Sequence, residues 1–257
     1  MSANIRQPQV TTNIQVEREF LMAKLSVPVA KADKFKEQVR KVRPVFETAP
    51  ALPGQPPPLT LRWQLAISGV TKRSHDRLEF LHIWKTPKVW SLYSAMNHLA
   101  SDREYAALHD CVQREEQYVL GTENMYSPTN LTTPVTAAKL VVESFALPSD
   151  RGAVARLQFG MPFLSRKLRR SCRWRLLLAL QHETGVLGTR IHVWGVEPGD
   201  GDPPVAELIA LGKKSLEDSD LYQSQTLLRE RARKRAEHCQ VRPRFEEYDP
   251  VDYRNPV

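Results

Sequence analysis

The chain has 257 residues, 41% hydrophobic and 26% charged, with a formal net charge of +8. That balance excludes a disordered or fibrous protein, and no run approaches the roughly 18 apolar residues a membrane span needs. The N-terminus has no apolar signal-peptide core, and Cys111, Cys172 and Cys239 form no C-x-x-C, so neither a disulfide framework nor a zinc site is expected and the reading favours a cytoplasmic protein. Residues 1–17 are expected to form a flexible tail, residues 18–130 a first domain and residues 136–257 a second.

Phe20 to Val27 has strand composition and ends at Pro28. From Lys31 to Arg43, Ala32, Phe35, Val39 and Val42 recur at three- and four-residue spacing, which predicts an amphipathic helix closed at Pro44. The run Pro53-Gly54-Gln55-Pro56-Pro57-Pro58 reads as a surface loop or extended spacer. Leu59, Leu61, Trp63, Leu65 and Ile67 alternate as in a strand; Ser68-Gly69-Val70 opens a turn, and Leu78 to Lys85 returns as the next strand. A long helix is predicted from Lys88 to Gln117, bent near Ser101-Asp102, then a strand from Tyr118 to Met125. The order then recurs: a strand at Lys139 to Leu147, a helix capped by Asp150 and interrupted at Gly160 and Pro162, and a strand carrying Trp174, Leu176, Leu178 and Leu180. Its hairpin partner is Arg190 to Trp194. A polar loop from Glu197 to Pro204 precedes a helix from Val205 to Glu237 and a last strand from Gln240 to Glu247.

The chain nearly repeats itself. Arg62-Trp63-Gln64-Leu65 is echoed by Arg173-Trp174-Arg175-Leu176, and His82-Ile83-Trp84 by His192-Val193-Trp194. The gap from tryptophan to histidine is 19 residues in one copy and 18 in the other. Tyr126-Ser127-Pro128 pairs with Tyr248-Asp249-Pro250. Each copy reads βαββαβ, the ferredoxin-like split unit. Such a unit covers one sheet face with its own helices and must hide the other; here its twin is available. The predicted fold is α+β, two tandem ferredoxin-like units packed sheet to sheet as an intramolecular barrel.

In this order of elements, in the His-Ile-Trp strand and in the Leu99-x-x-Asp102-x-x-Tyr105 pattern of the helix after it, the chain resembles the dimeric α/β-barrel superfamily, in a fused tandem form like NIPSNAP-type proteins. The resemblance implies binding sites in the barrel interior and reactions such as cyclisation, isomerisation, dehydration or cofactor-free oxygenation, often in specialised metabolism.

Alternation puts Phe80, His82 and Trp84 on one strand face and Leu81 and Ile83 on the other, with His192 and Trp194 set against Ile191 and Val193 in the same way. Aliphatic pairs suit a helix-packed face, so the His/Trp faces are predicted to line the barrel interior. An aromatic pocket with few polar groups suits an apolar small molecule, and a neutral imidazole in it suits acid–base work. The same two histidines read equally as core residues satisfied by neighbouring carbonyls. His98 is a third candidate, placed near a helix histidine of haem-degrading and monooxygenase members. Tyr105 and Tyr222 read as helix-to-sheet packing or as part of the pocket. Of Arg62 and Trp63, and of Arg173 and Trp174, one side chain of each pair faces in, and the arginines could hold a carboxylate.

The chain has no P-loop, G-x-G-x-x-G, G-x-S-x-G or H-E-x-x-H motif, so neither a nucleotide cofactor nor a metal is expected. The aromatic RNP1 pattern of RNA-binding sheets is missing, and nucleic acid is not expected as a partner. Basic clusters at Arg166, Lys167, Arg169, Arg170, Arg173 and Arg175, and at Arg229 to Arg235, read as solvated helix faces or as a partner surface. Three functions remain: an enzyme acting through His82 or His192 on a hydrophobic substrate; a haem protein of chlorite dismutase-like type, with His98 or His192 on the iron; and a non-catalytic scaffold. Further association into a homo-oligomer stays open.

Overall fold

A computed structural model of the chain describes residues 19–48, 64–86, 103–123, 126–128, 136–146, 151–182, 189–222 and 243–254. The predicted tail, the Pro/Gly run, the first half of the helix predicted from Lys88, and the basic cluster at Arg229 to Arg235 lie outside the described residues, as do Arg62, Trp63 and His98. The elements are β1 (Glu19–Pro28), α1 (Ala32–Thr48), β2 (Gln64–Lys72), β3 (Arg77–Thr86), α2 (Arg103–His109) and β4 (Arg114–Thr122), then β5 (Lys139–Ala146), α3 (Arg151–Ser171), β6 (Trp174–His182), β7 (Thr189–Val196), α4 (Val205–Glu217) and β8 (Arg244–Pro250).

The first unit has strand order β4-β1-β3-β2 and the second β8-β5-β7-β6, and together they close one barrel. The units meet at hydrogen-bonded edges. Gly69 pairs with Pro250 and Val70 with Asp249 at one seam, and Leu120, Gly121 and Thr122 pair with His182, Gln181 and Leu180 at the other. A ferredoxin-like sheet has two edge strands to protect, and each unit covers those of the other. A Cβ at Gly69 would come within 2.8 Å of the Tyr248 Cβ, so the first seam closes only over glycine. The two units also share a register irregularity, between Leu65 and Ile67 in β2 and between Leu176 and Leu178 in β6.

Several element boundaries differ from the sequence expectation. α1 runs through Pro44 to Thr48, and α3 through Gly160 and Pro162. In both helices the buried stripe continues past the breaker, with Val42 and Phe46 in α1 and Leu157, Met161, Leu164 and Leu168 in α3; tertiary packing overrides local propensity there. Ser68-Gly69-Val70 is strand rather than turn, drawn into the ladder by its pairing with β3. Helix α2 ends at His109 and β4 begins at Arg114, because Arg114 to Gly121 pair with β1. Helix α4 ends at Glu217.

The barrel interior is largely aliphatic. Phe20, Met22, Ile67, Leu81, Ile83, Leu120, Leu140, Val142, Leu178, Leu180, Ile191 and Val193 form one buried cluster with Tyr248, drawn from all eight strands. Towards one mouth Tyr248 Oη donates to Glu79 at 2.6 Å, and Arg73 bridges Glu79 and Glu246. The predicted facing is therefore reversed: Leu81 and Ile83 point inward, while Phe80 and Trp84 belong to the cluster against α1, and Trp194 to the cluster against α3 and α4. An eight-stranded barrel is just wide enough for its own side chains to fill, and here they do so. The wider layer between sheet and helices takes the aromatic rings.

Candidate functional site

Against α1, the Phe35 ring lies 4.5 Å from Phe80 and 5.9 Å from His82, and Phe46 lies 5.1 Å from Trp84. His82 is 3% exposed. Its Nε2 lies 2.9 Å from Tyr253 Oη, and its Nδ1 has no hydrogen-bond partner among the described residues. Burial depresses the imidazole pKa from 6.5 to about 3, so the ring is neutral at pH 7. Burial also pushes the Tyr253 phenol well above its usual range, so it keeps its proton. If Tyr253 donates to Nε2, the free nitrogen is an N–H; if it accepts, the free nitrogen is a lone pair.

His82 forms part of the wall of a cleft of about 60 Å³ between sheet and helices. Leu21, Ala23 and Leu25 of β1 contribute an aliphatic side, Phe46, Trp84, Tyr105, Leu108 and Val112 an apolar and aromatic one, and His109, Glu115 and Gln117 the polar groups. The His109 ring meets Tyr105 edge-on at 4.4 Å, and its Nδ1 lies 3.7 Å from Glu115. Burial, with Glu115 adding to it, raises the Tyr105 phenol above its usual value.

The second unit carries the same strand residues in a sealed arrangement. His192 is fully buried, with Nε2 2.9 Å from Tyr126 Oη and Nδ1 3.0 Å from Glu143 Oε2. The Trp194 indole N–H donates to the same Glu143 oxygen at 3.0 Å. Alongside, Arg190 pairs with Glu123 at 2.6 Å, both buried. Burial holds the Tyr126 phenol protonated, well above its ordinary pKa. In the ladder Glu143 stands opposite His192, and Ala23 stands opposite His82. One position thus carries a methyl group in the first unit and a carboxyl group in the second.

Both tyrosines reach across the seams. Tyr126 follows β4 of the first unit and bonds to His192 of the second; Tyr253 follows β8 of the second unit and bonds to His82 of the first. The structural counterpart of Tyr126 is therefore Tyr253. The sequence pairing with Tyr248 is corrected, since Tyr248 packs in the barrel interior.

Trp174, not Arg173, is the buried member of its pair. Its indole N–H donates to the Leu208 carbonyl at 3.1 Å, and its ring lies 5.8 Å from Trp194. Arg173 is exposed, pairs with Asp202 at 2.7 Å and has a φ of 58°, so it holds no ligand carboxylate. Tyr222 is buried with its ring 5.5 Å from Phe145. Sequence reasoning missed Tyr253, Tyr126, Ala23, Glu143, His109 and Glu115. One signal was available: Glu143 shares its strand face with Val141 and Phe145, and a charge on an otherwise apolar face calls for a buried partner.

Among the described residues, no group of three or more His, Cys, Asp or Glu is arranged to hold a metal ion, and no helix is long and apolar enough to cross a membrane. Of the two histidines expected as haem ligands, His98 lies outside the described residues. His192 has both ring nitrogens engaged. His82 has a nitrogen to offer, but its cleft, of about 60 Å³, has no arginine or lysine in its lining for the propionates. The described residues do not fit haem.

The chain is similar over nearly its whole length to several solved structures. An anthrone oxidase-like protein superposes with a TM-score of 0.52 at 14% identity, with 93% of each chain covered. A proposed monooxygenase from Fusobacterium nucleatum gives 0.53 at 5% identity, covering 93% of this chain and 94% of that one. A haem-binding protein from Thermus thermophilus gives 0.50 at 10% identity, with 93% of each covered. No protein-family model matches the chain, and no curated protein matches its sequence. At these identities the likeness establishes the fold alone, a closed barrel of two ferredoxin-like units.

Proposed function

We propose that the protein is a small-molecule enzyme working without a nucleotide cofactor, and that its site is the helix-side cleft of the first unit rather than the barrel interior. The observation that carries this reading is the contrast between the two histidines. His192 is sealed and bonded at both nitrogens, whereas His82 has one nitrogen unpartnered and forms part of a cleft wall. The substrate class is a small, largely apolar ring compound bearing one acidic hydroxyl or C–H group. Phe46, Trp84 and the aliphatic side chains of β1 hold its apolar body, and His109, Glu115 and Gln117 face its polar end.

His82 takes the substrate proton on Nδ1 while Tyr253 fixes the ring plane through Nε2. In the empty cleft the desolvated imidazole is a weak base. The anion left by proton transfer lies beside it and raises its pKa, so binding and proton transfer reinforce each other. Such an anion is the starting point of isomerisation and of cofactor-free oxygenation. The monooxygenase and anthrone oxidase-like names among the structural neighbours agree with that chemistry.

The test is a panel of phenols, quinols and anthrones graded by size, followed by quenching of tryptophan fluorescence and by depletion of ligand and dissolved oxygen. Saturable quenching is expected for the smaller members and is lost in Ala23→Phe, which fills the cleft. Turnover falls roughly 100-fold or more in His82→Gln with binding retained. Full turnover in His82→Gln, or unaltered binding in Ala23→Phe, would overturn the reading.

A further inference from the structure

Helix α3 carries two stripes. Leu157, Met161, Leu164 and Leu168, spaced four, three and four, are buried against the second sheet. The same spacing recurs two residues later at Phe159, Phe163, Arg166 and Arg170, about 200° round the helix and so on the opposite face. Phe159 is 68% and Phe163 69% exposed, unusual for phenylalanine on a helix whose other face is packed in the core. The Arg166 guanidinium lies 4.9 Å from the Phe163 ring centroid, and Lys167, Arg169 and Arg170 extend the charge towards the helix C-terminus.

The corresponding helix of the first unit pairs three of its five cations along its own surface, Lys36 with Asp33, Lys41 with Glu37 and Arg43 with Glu47. Helix α3 has no acidic residue, and no carboxylate pairs with Arg166, Lys167, Arg169 or Arg170 among the described residues. Its outer face is therefore uncompensated positive charge around two exposed aromatic rings.

We infer that this face of α3 docks the protein on an anionic phospholipid surface, with Phe159 and Phe163 entering the headgroup–acyl boundary and the basic side chains meeting lipid phosphates. An amphipathic helix binds membrane surfaces through this combination of aromatic insertion and basic flanks. Two copies of the chain meeting here would bring like charges together. The rings stand exposed on the outer face of the helix, and a fluid interface takes them up without a shaped socket. Docking is peripheral and leaves the fold intact, since the inner stripe of α3 stays in the core.

The experiment is co-sedimentation of the full chain with vesicles of phosphatidylcholine alone and of phosphatidylcholine mixed with phosphatidylserine. Binding is expected only to the mixed vesicles and weakens as salt is raised. Arg166→Gln/Arg170→Gln lowers partition roughly 30-fold, and Phe159→Ser/Phe163→Ser roughly 10-fold. All four positions lie on the outer face, so both variants keep the wild-type circular dichroism and melting curve. Absence of binding to the mixed vesicles, or binding that neither variant weakens, overturns the inference. So does retention on immobilised polyglutamate without vesicle binding, which would assign the face to an acidic protein. A wild-type dimer that Phe159→Ser/Phe163→Ser converts to monomer, again without vesicle binding, would assign it to a second copy.

Discussion

The two units place a histidine and a tryptophan at the same strand positions and surround them oppositely. Opposite His82 in the ladder is Ala23, and a cleft opens beside the ring; opposite His192 is Glu143, and the space holds a closed Tyr126–His192–Glu143–Trp194 network. A buried carboxyl group calls for hydrogen-bond partners; Glu143 Oε2 draws in both rings, while its Oε1 is buried without a partner among the described residues. A methyl group makes no such demand. One side chain on the first strand of each unit thus separates a histidine with a nitrogen to spare from one held as structure.

The comparison can be broken most forcefully at Glu143. Glu143→Ala leaves the His192 ring and the Trp194 N–H without their shared acceptor, and a loss of about 3–5 kcal/mol in urea denaturation is expected; unchanged stability would mean the network does not hold the second unit together. The converse change, Ala23→Glu, places a carboxyl group opposite His82 and should raise its pKa, read by NMR titration.

Acid comes next in size. The pKa of His82 in the folded protein is about 3 against an ordinary 6.5, so below pH 6.5 the unfolded chain takes up a proton that the folded one refuses. The contribution of His82 is complete above pH 6.5 and is lost as the pH falls towards 3, at about 1.4 kcal/mol per pH unit. His82→Gln should remove that slope from the pH dependence of the urea midpoint; an identical slope in the variant would place the shift elsewhere.

Gly212→Ala probes the packing of the second unit alone. A Cβ there would sit 2.2 Å from the Trp174 ring, and a loss of about 1–3 kcal/mol is expected from the forced shift of the indole. The smallest effects belong to the tyrosines that cross the seams. Tyr126→Phe and Tyr253→Phe should each cost about 0.5–1.5 kcal/mol, visible as shifts in thermal midpoint. Only Tyr253→Phe is expected to lower turnover in the first-unit cleft, since it acts through His82. Equal effects of the two on turnover would mean that the units are functionally equivalent.

Much of this was legible in the chain. The recurrence of His-Ile-Trp as His-Val-Trp, the alternation in the strands and the order of elements lead to two ferredoxin-like units in one barrel, because strand period and the need to cover a sheet face act locally. The paired histidines and tryptophans were found for the same reason. Their direction was inverted: alternation says which residues share a face, but not whether that face meets the barrel axis or the helices. Tyr253 escaped notice because its partner His82 is 171 residues away, and such a contact leaves no local pattern.

The sequence by itself determined the α+β class, the strand faces and the pairs of side chains that share them, since each follows from backbone periodicity and burial within a short window. Only the tertiary structure decided that a mostly aliphatic set of side chains, with Phe20 and Tyr248, fills the narrow barrel while the His/Trp faces lie under the helices. It also decided that the edges seam through Gly69, and that each histidine takes its tyrosine from the other unit. Those outcomes depend on the volume available between distant elements, a property of the closed barrel that no segment of the chain carries alone.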